Sequence, residues 1–179
     1  IEAKNINVTT ESVWSNSNAE LSVVYRNITE AHFRLVKANW LFQRAKRFRI
    51  GGNQENRRKI LQKVPVKKWK YNLLPTADFK QRTQFYPVPN DVPPGFYYLI
   101  SSTKEDFSEN DNRIQYTPIW ISELSLVLRS RANHIEGFVM RANSGEPVEG
   151  ANISIWLSNH SDKTTERKTT SDLNGFFTF

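Results

Sequence analysis

The 179-residue chain contains no cysteine. That absence excludes a disulfide framework, a thiolate metal site and a cysteine nucleophile. It does not exclude an oxidising compartment. No run of about 18 apolar residues occurs, so no transmembrane helix is expected. No secretory leader pattern is visible. The chain opens at Ile1 rather than Met and stops at Phe179 within a strand-like pattern, so it reads as a soluble fragment of a longer polypeptide. Catalytic signatures are missing too: there is no G-x-S-x-G, no H-E-x-x-H and no phosphate-cradling glycine loop. Gly51-Gly52-Asn53 is only a turn signal. Nothing pairs a nucleophile with a base at a recognisable spacing, so the chain reads as a non-enzyme with no cofactor.

What is present is globular. Hydrophobic residues make up 38%, aromatics 12% and charged residues 24%, and the aromatic share argues against disorder. The net charge of +7 is unevenly placed. Residues 44–70 hold eleven Lys/Arg against a single acid, Glu55, while the remaining 152 residues sum to −3. The basicity belongs to one segment.

The patterning is that of strands. Val23 and Tyr25 alternate with Ser22 and Arg26, and Ala31, Phe33 and Leu35 alternate with Glu30, His32 and Arg34. The alternation recurs at Trp69/Tyr71/Leu73, at Leu124/Leu126/Leu128 and at Ala151/Ile153/Ile155/Leu157. Period 2 predicts half-buried strands with one wet face. Pro87–Gly95, Asn143–Pro147 and Asn174-Gly175 supply turns, the last of hairpin type. One short helix is expected near 54–63, capped by Asn53 and stopped by Pro65. The fold class is therefore all-β and sandwich-like. A boundary near Pro118–Ile121 leaves residues 1–118 as one whole sandwich and 119–179 as a second, truncated β domain. Missing strands would leave Phe176, Phe177 and Phe179 partly uncovered, with self-association through the truncated domain as one consequence.

The residues offer three chemical readings. The histidines His32, His134 and His160 share no motif, and a metal site needs three or four converging ligands. Glu105, Asp106, Glu109 and Asp111 cluster, but the glycine of a calcium loop is missing. The basic segment offers polyanion contacts at Arg44, Lys46, Arg47, Arg49, Arg57, Arg58 and Lys59, with Trp40, Phe42, Phe48, Trp69 and Tyr71 nearby for stacking. Nucleic acid, glycan and anionic lipid all remain open as ligands. No nucleic-acid motif accompanies the charge, so nucleic acid is not favoured, and a solvated helix and strand edge explain the same residues.

Two stretches carry a resemblance. Tyr25-Arg26-Asn27 leads into a long strand through Leu35, Val66-Lys67-Lys68-Trp69 follows, and Pro93-Pro94-Gly95-Phe96-Tyr97 opens a later strand. Then come Ser144-Gly145-Glu146-Pro147-Val148-Glu149-Gly150-Ala151 and Thr170-Ser171-Asp172-Leu173-Asn174-Gly175-Phe176. Together, in this order, they resemble the N-terminal macroglobulin domains of bacterial α2-macroglobulin-like proteins. The resemblance implies a macroglobulin-type Ig-like sandwich at 1–118 and a partial macroglobulin or transthyretin-like domain at 119–179. Tyr97 is the candidate tyrosine corner. Gly145 and Pro147 are expected in a tight turn, Gly150 at a close strand approach, and Asn174-Gly175 closing a hairpin.

The function implied is that of a structural module in a multidomain endopeptidase inhibitor. The parent protein would be periplasmic or membrane-anchored at the cell surface, with neighbouring domains and endopeptidases as its partners. Neither a thioester nor a bait region can be carried onto these residues. An adhesive or transport-accessory Ig-like domain is a third reading, because fold alone does not choose a function.

Overall fold

The computed structural model describes residues 4–15, 19–39, 54–76, 78–131, 134–158 and 164–179. The chain forms two compact units, Ile1–Ile121 and Ser122–Phe179. Among the described residues the architecture is all-β with one short helix.

In the first unit the strands are β1 (Asn5–Thr10), β2 (Val13–Trp14), β3 (Glu20–Arg26), β4 (Glu30–Lys37), β5 (Lys67–Asn72), β6 (Arg82–Pro87), β7 (Gly95–Ser102) and β8 (Gln115–Ile121). They build a three-stranded sheet, β1-β3-β6, and a five-stranded sheet, β2-β8-β7-β4-β5. All pairs are antiparallel except β2 with β8. Alternation explains the sandwich. Ile6, Val8, Leu21, Val23 and Tyr25 from one sheet meet Ala31, Phe33, Leu35, Tyr97, Leu99, Ile119 and Ile121 from the other in one buried core. On β5 the same rule holds: Trp69 and Tyr71 pack on that core, while Lys68 and Lys70 are exposed.

The five-stranded sheet has no wet outer face over β4 and β7. A second buried cluster covers it: Val36, Phe96, Tyr98 and Ile100 from the strands, Ile60 from the helix α1 (Gln54–Leu61), and Phe107 from the loop after β7. The expectation of a solvated face at His32 and Arg34 is thereby corrected: His32 is buried and Arg34 half-buried. For Arg34 the cause is tertiary, since Leu61 of α1 and Phe107 of the loop, both far from β4 in sequence, lie against it. Helix α1 contributes only Ile60 as a buried side chain. Its Glu55–Lys59 pair at 2.6 Å, with acid in the first turn and base in the last, suits the helix dipole. Eight residues would not hold as a helix in isolation, so docking on the sheet keeps it folded. The expected cap, Asn53, lies outside the described residues.

The second unit contains β9 (Leu124–Arg131), β10 (His134–Arg141), β11 (Asn152–Ser158), β12 (Thr164–Thr170) and β13 (Phe176–Thr178). They form a three-stranded sheet, β13-β10-β9, and a two-stranded sheet, β11-β12. Two expectations need correction here. Strand β9 is exposed along all eight residues rather than half-buried, with Leu124, Leu126 and Leu128 at 45%, 53% and 58%. Phe177, expected to be partly uncovered, is buried at 2% because its ring lies against Gly137; Phe176 and Phe179 are half-buried.

Candidate functional site

The basic segment is the one sequence feature with an obvious ligand chemistry, and its described part sits on α1 and β5. Arg44, Lys46, Arg47 and Arg49 lie outside the described residues, as do Trp40, Phe42 and Phe48. Helix α1 places Arg57, Arg58 and Lys59 beside the loop 103–113 and the outer face of the five-stranded sheet. Carboxylates meet most of these cations. Arg58 pairs with Glu109 at 3.3 Å, Lys59 with Glu55 at 2.6 Å, Lys67 with Asp91 at 2.5 Å and Lys70 with Glu30 at 2.7 Å. Arg57 stands 5.8 Å above the Tyr116 ring. The Lys70 ammonium holds the Glu30 carboxyl below its ordinary value, and Lys67 does the same for Asp91. The edge strand β5 therefore carries charges that are largely answered by neighbouring acids.

Behind α1 lies an arrangement that sequence reading missed. The Arg34 guanidinium stacks 3.6 Å from the centroid of the Phe107 ring, and its Nη1 donates to the Leu61 carbonyl at 3.3 Å. Its Nε is buried without a partner. Burial works against the charge on Arg34, and the ring face and carbonyl offset this. The adjoining Tyr116 hydroxyl is pushed up to about 12 by burial, with Glu109 adding to the rise and Arg57 and Arg34 opposing it. The loop itself is organised by Asn112, whose Oδ1 accepts from the Thr103 N–H at 3.1 Å and whose Nδ2 donates to the Ser108 carbonyl at 2.7 Å. No signal in the sequence pointed to Arg34, which sits on the polar phase of its strand.

The remaining candidates are dispersed. His32 lies 3.4 Å from Glu30 and His134 lies 3.1 Å from Glu136, on different units; His160 lies outside the described residues. Among the described residues no three His, Cys, Asp or Glu side chains converge as metal ligands. Among the same residues no helix is long and apolar enough to cross a membrane.

The motif residues have local roles. The Tyr97 hydroxyl donates to the Pro93 carbonyl at 2.8 Å, tying the start of β7 to the preceding turn. Gly145 and Pro147 occupy the turn after β10, where the Gly145 N–H donates to Arg141 at 2.9 Å and Pro147 bridges Met140. Gly150 is not at a close strand approach, contrary to expectation: nothing lies within 4 Å of where its Cβ would be, and it is the positive φ of +68° that favours glycine there, with its N–H donating to the Ser171 carbonyl at 3.0 Å. Asn174-Gly175 does not close a hairpin, contrary to expectation. Its turn carries the chain from β12, paired with β11, to β13, paired with β10. The Asp172 carboxylate fixes that turn by accepting from the Asn174 and Phe176 N–H groups, both at 2.9 Å.

No protein-family model matches the chain, and no curated protein does. Solved structures match it along nearly its whole length. A structure of native Escherichia coli α2-macroglobulin spanning domains NIE-MG1 superposes with a TM-score of 0.69 at 16% identity, covering 99% of this chain and 87% of that one. A second from the same organism, spanning MG0-NIE-MG1, gives 0.68 at 16% identity over 99% of this chain and 57% of that one. A Salmonella α2-macroglobulin variant gives 0.58 at 14% identity over 98% of this chain and only 10% of that one. The chain shares the fold of these macroglobulin domains and spans about a tenth of the longest of the three.

Proposed function

We propose that the chain is a non-catalytic structural module of a bacterial, periplasmic or surface-anchored α2-macroglobulin-like endopeptidase inhibitor. The supporting observation is the superposition on E. coli domains NIE-MG1, which runs through both units over 99% of the chain. The motif order from Tyr25-Arg26-Asn27 to Asn174-Gly175 supports the same reading. In it, this chain supplies scaffold, and trapping belongs to the rest of the parent protein. The second unit is then part of a larger sandwich.

The test incubates the parent polypeptide with a broad-specificity endopeptidase and follows cleavage of a large protein substrate and a small peptide. Loss of the large-substrate activity with the small one retained is expected, and the chain alone should change neither. Unchanged cleavage of both by the parent would overturn the reading for that protease. Polyanion binding through Arg57, Arg58 and Lys59 has weaker support, because Arg58 and Lys59 already face carboxylates. Retention on heparin that survives their charge reversal would remove it.

A further inference from the structure

Of the chain's seven glycines only Gly175 follows an asparagine. The Asn174-Gly175 pair has a chemistry of its own. Asparagine is among the thermally labile residues, and a following glycine carries no Cβ to shield its backbone nitrogen. That nitrogen is a nucleophile for the asparagine side-chain carbon. Asn174 is exposed, whereas Gly175 is buried. Asp172 organises the turn between them. Its N–H donates to the Phe176 carbonyl and its carbonyl accepts from the Gly175 N–H, both at 2.9 Å. Its Oδ1 accepts from the Asn174 and Phe176 N–H groups, also at 2.9 Å. The Gly175 carbonyl accepts in turn from the Val139 N–H of β10 at 2.8 Å. Attack needs the Gly175 nitrogen stripped of its proton and turned towards the Asn174 side chain. In the folded turn that N–H is committed to Asp172, and Gly175 is fixed through both of its backbone groups.

We propose that Asn174 is a site of spontaneous deamidation, gated by opening of the turn that Asp172 holds shut. In the opened turn the Gly175 nitrogen gives its proton to a solvent base and bonds to Asn174 Cγ. The Cγ–Nδ2 bond breaks, and ammonia departs from a cyclic imide. Water then opens the imide at either carbonyl. Opening at Cγ restores the peptide bond, with aspartate in place of asparagine. Opening at the main-chain carbonyl routes the backbone through the side chain as isoaspartate. This second product lengthens the chain by one methylene just before β13. Phe176 and Phe177 then lose their register opposite Phe138 and Gly137, and with it the burial of Phe177. A local opening that would otherwise reclose becomes a permanent loss of the β10-β13 pairing.

The test incubates the whole chain in mildly alkaline buffer, with and without guanidinium. Digestion and mass spectrometry follow, with chromatographic separation of the aspartyl and isoaspartyl peptides. Modification is expected at Asn174 before any other asparagine. It should be at least about tenfold slower in buffer than in guanidinium, because native attack waits for local opening. Asp172→Ala removes the Oδ1 acceptor and should bring the native rate close to the denatured one. Asp172→Asn keeps an oxygen acceptor at the same place and should stay near the wild-type rate. That second variant keeps the comparison valid where the alanine loosens the whole unit. Equal wild-type rates in buffer and guanidinium, or first modification at another asparagine, would overturn the proposal. So would an Asp172→Ala rate no faster than wild type, or an Asp172→Asn rate as fast as that of Asp172→Ala.

Discussion

The side-chain amide of Gln115 pairs with both backbone groups of Val8: Oε1 accepts from the N–H at 2.9 Å, and Nε2 donates to the carbonyl at 2.6 Å. Val8 is buried on β1 of the three-stranded sheet, whereas Gln115 begins β8 of the five-stranded sheet. One side chain thus completes an edge that has no other described strand beside it, and links the two layers. Gln115→Ala leaves both groups unpaired and should cost about 1–3 kcal/mol in urea unfolding. Gln115→Glu should cost more, since a carboxylate can still accept from the N–H but faces the carbonyl oxygen. A loss within about 0.5 kcal/mol, typical of bland surface changes, would mean water replaces the amide.

The outer layer over β4 and β7 rests on the stack of Arg34 on Phe107. Phe107 is buried at 5%, so Phe107→Ala should destabilise by about 3–5 kcal/mol. Arg34→Ala and the double variant complete a thermodynamic cycle. The expected coupling is about 1–2 kcal/mol, because the cation is half-desolvated over the ring. Arg34→Lys should recover only part of it, having no planar group to lie on the ring. A coupling near zero would make the 3.6 Å contact incidental.

Where a layer is built from strands facing one core, alternation made it legible. Val23 and Tyr25, Phe33 and Leu35, and Trp69 and Tyr71 face inward as their spacing implies. The turns at Pro93-Pro94-Gly95 and Gly145–Pro147 were legible from their residue types. What alternation could not reveal is what covers a polar phase. Arg34 reads as wet because nothing local announces that α1 and Phe107 return to cover it, and the buried His32 reads as wet on the same alternation. The reverse happened on β9, whose leucines read as core although nothing described in the chain buries them. Gln115 and Gly137 carry no local pattern at all, because each is explained only by a partner distant in sequence or across a strand pair. The ion pairs that answer the basic segment were hidden for the same reason: Glu30, Asp91 and Glu109 lie on other elements.

Burial is distributed unequally between the units. Among the described residues the first unit buries twenty-three apolar side chains and the second only Val139 and Phe177. Apolar burial is the main favourable contribution to folding. Amide exchange should therefore be slowest in β4 and β7 and markedly faster in β10 and β13, through opening that leaves the first unit intact. Peptide-resolved hydrogen exchange checks this, and uniform protection across both units would contradict it.

Two glycines of the second unit are fixed by space. A Cβ on Gly137 would lie 2.3 Å from the Val127 carbonyl oxygen and 2.9 Å from the Phe177 ring. One on Gly175, at φ +70°, would lie 2.4 Å from the Val139 carbonyl oxygen. Either alanine substitution should cost about 3 kcal/mol or more and lose the second unit's structure selectively. Gly150→Ala is the control: φ is +68° but nothing lies within 4 Å, so about 1–2 kcal/mol is expected. Equal losses at all three positions would show that backbone conformation, not crowding, sets the requirement.

All six tyrosines are held above the ordinary phenol value, and burial is the first cause for each. Tyr98 and Tyr116 are pushed up to about 12 from an ordinary 10.0. Between those values the folded chain keeps protons that the unfolded chain releases, so unfolding is favoured as they leave. The stability linked to these groups is fully present below pH 10 and is lost as pH rises towards 12. Phenolate absorbance followed against pH should rise later for the native protein than for the protein in denaturant. Tyr98→Phe should remove one of the latest steps and shift the alkaline unfolding transition upward, by deleting a group whose ionisation drives it. A native tyrosine that titrates at its ordinary value while the far-ultraviolet dichroism is unchanged would show that water reaches that ring, and would rule out burial as the common cause.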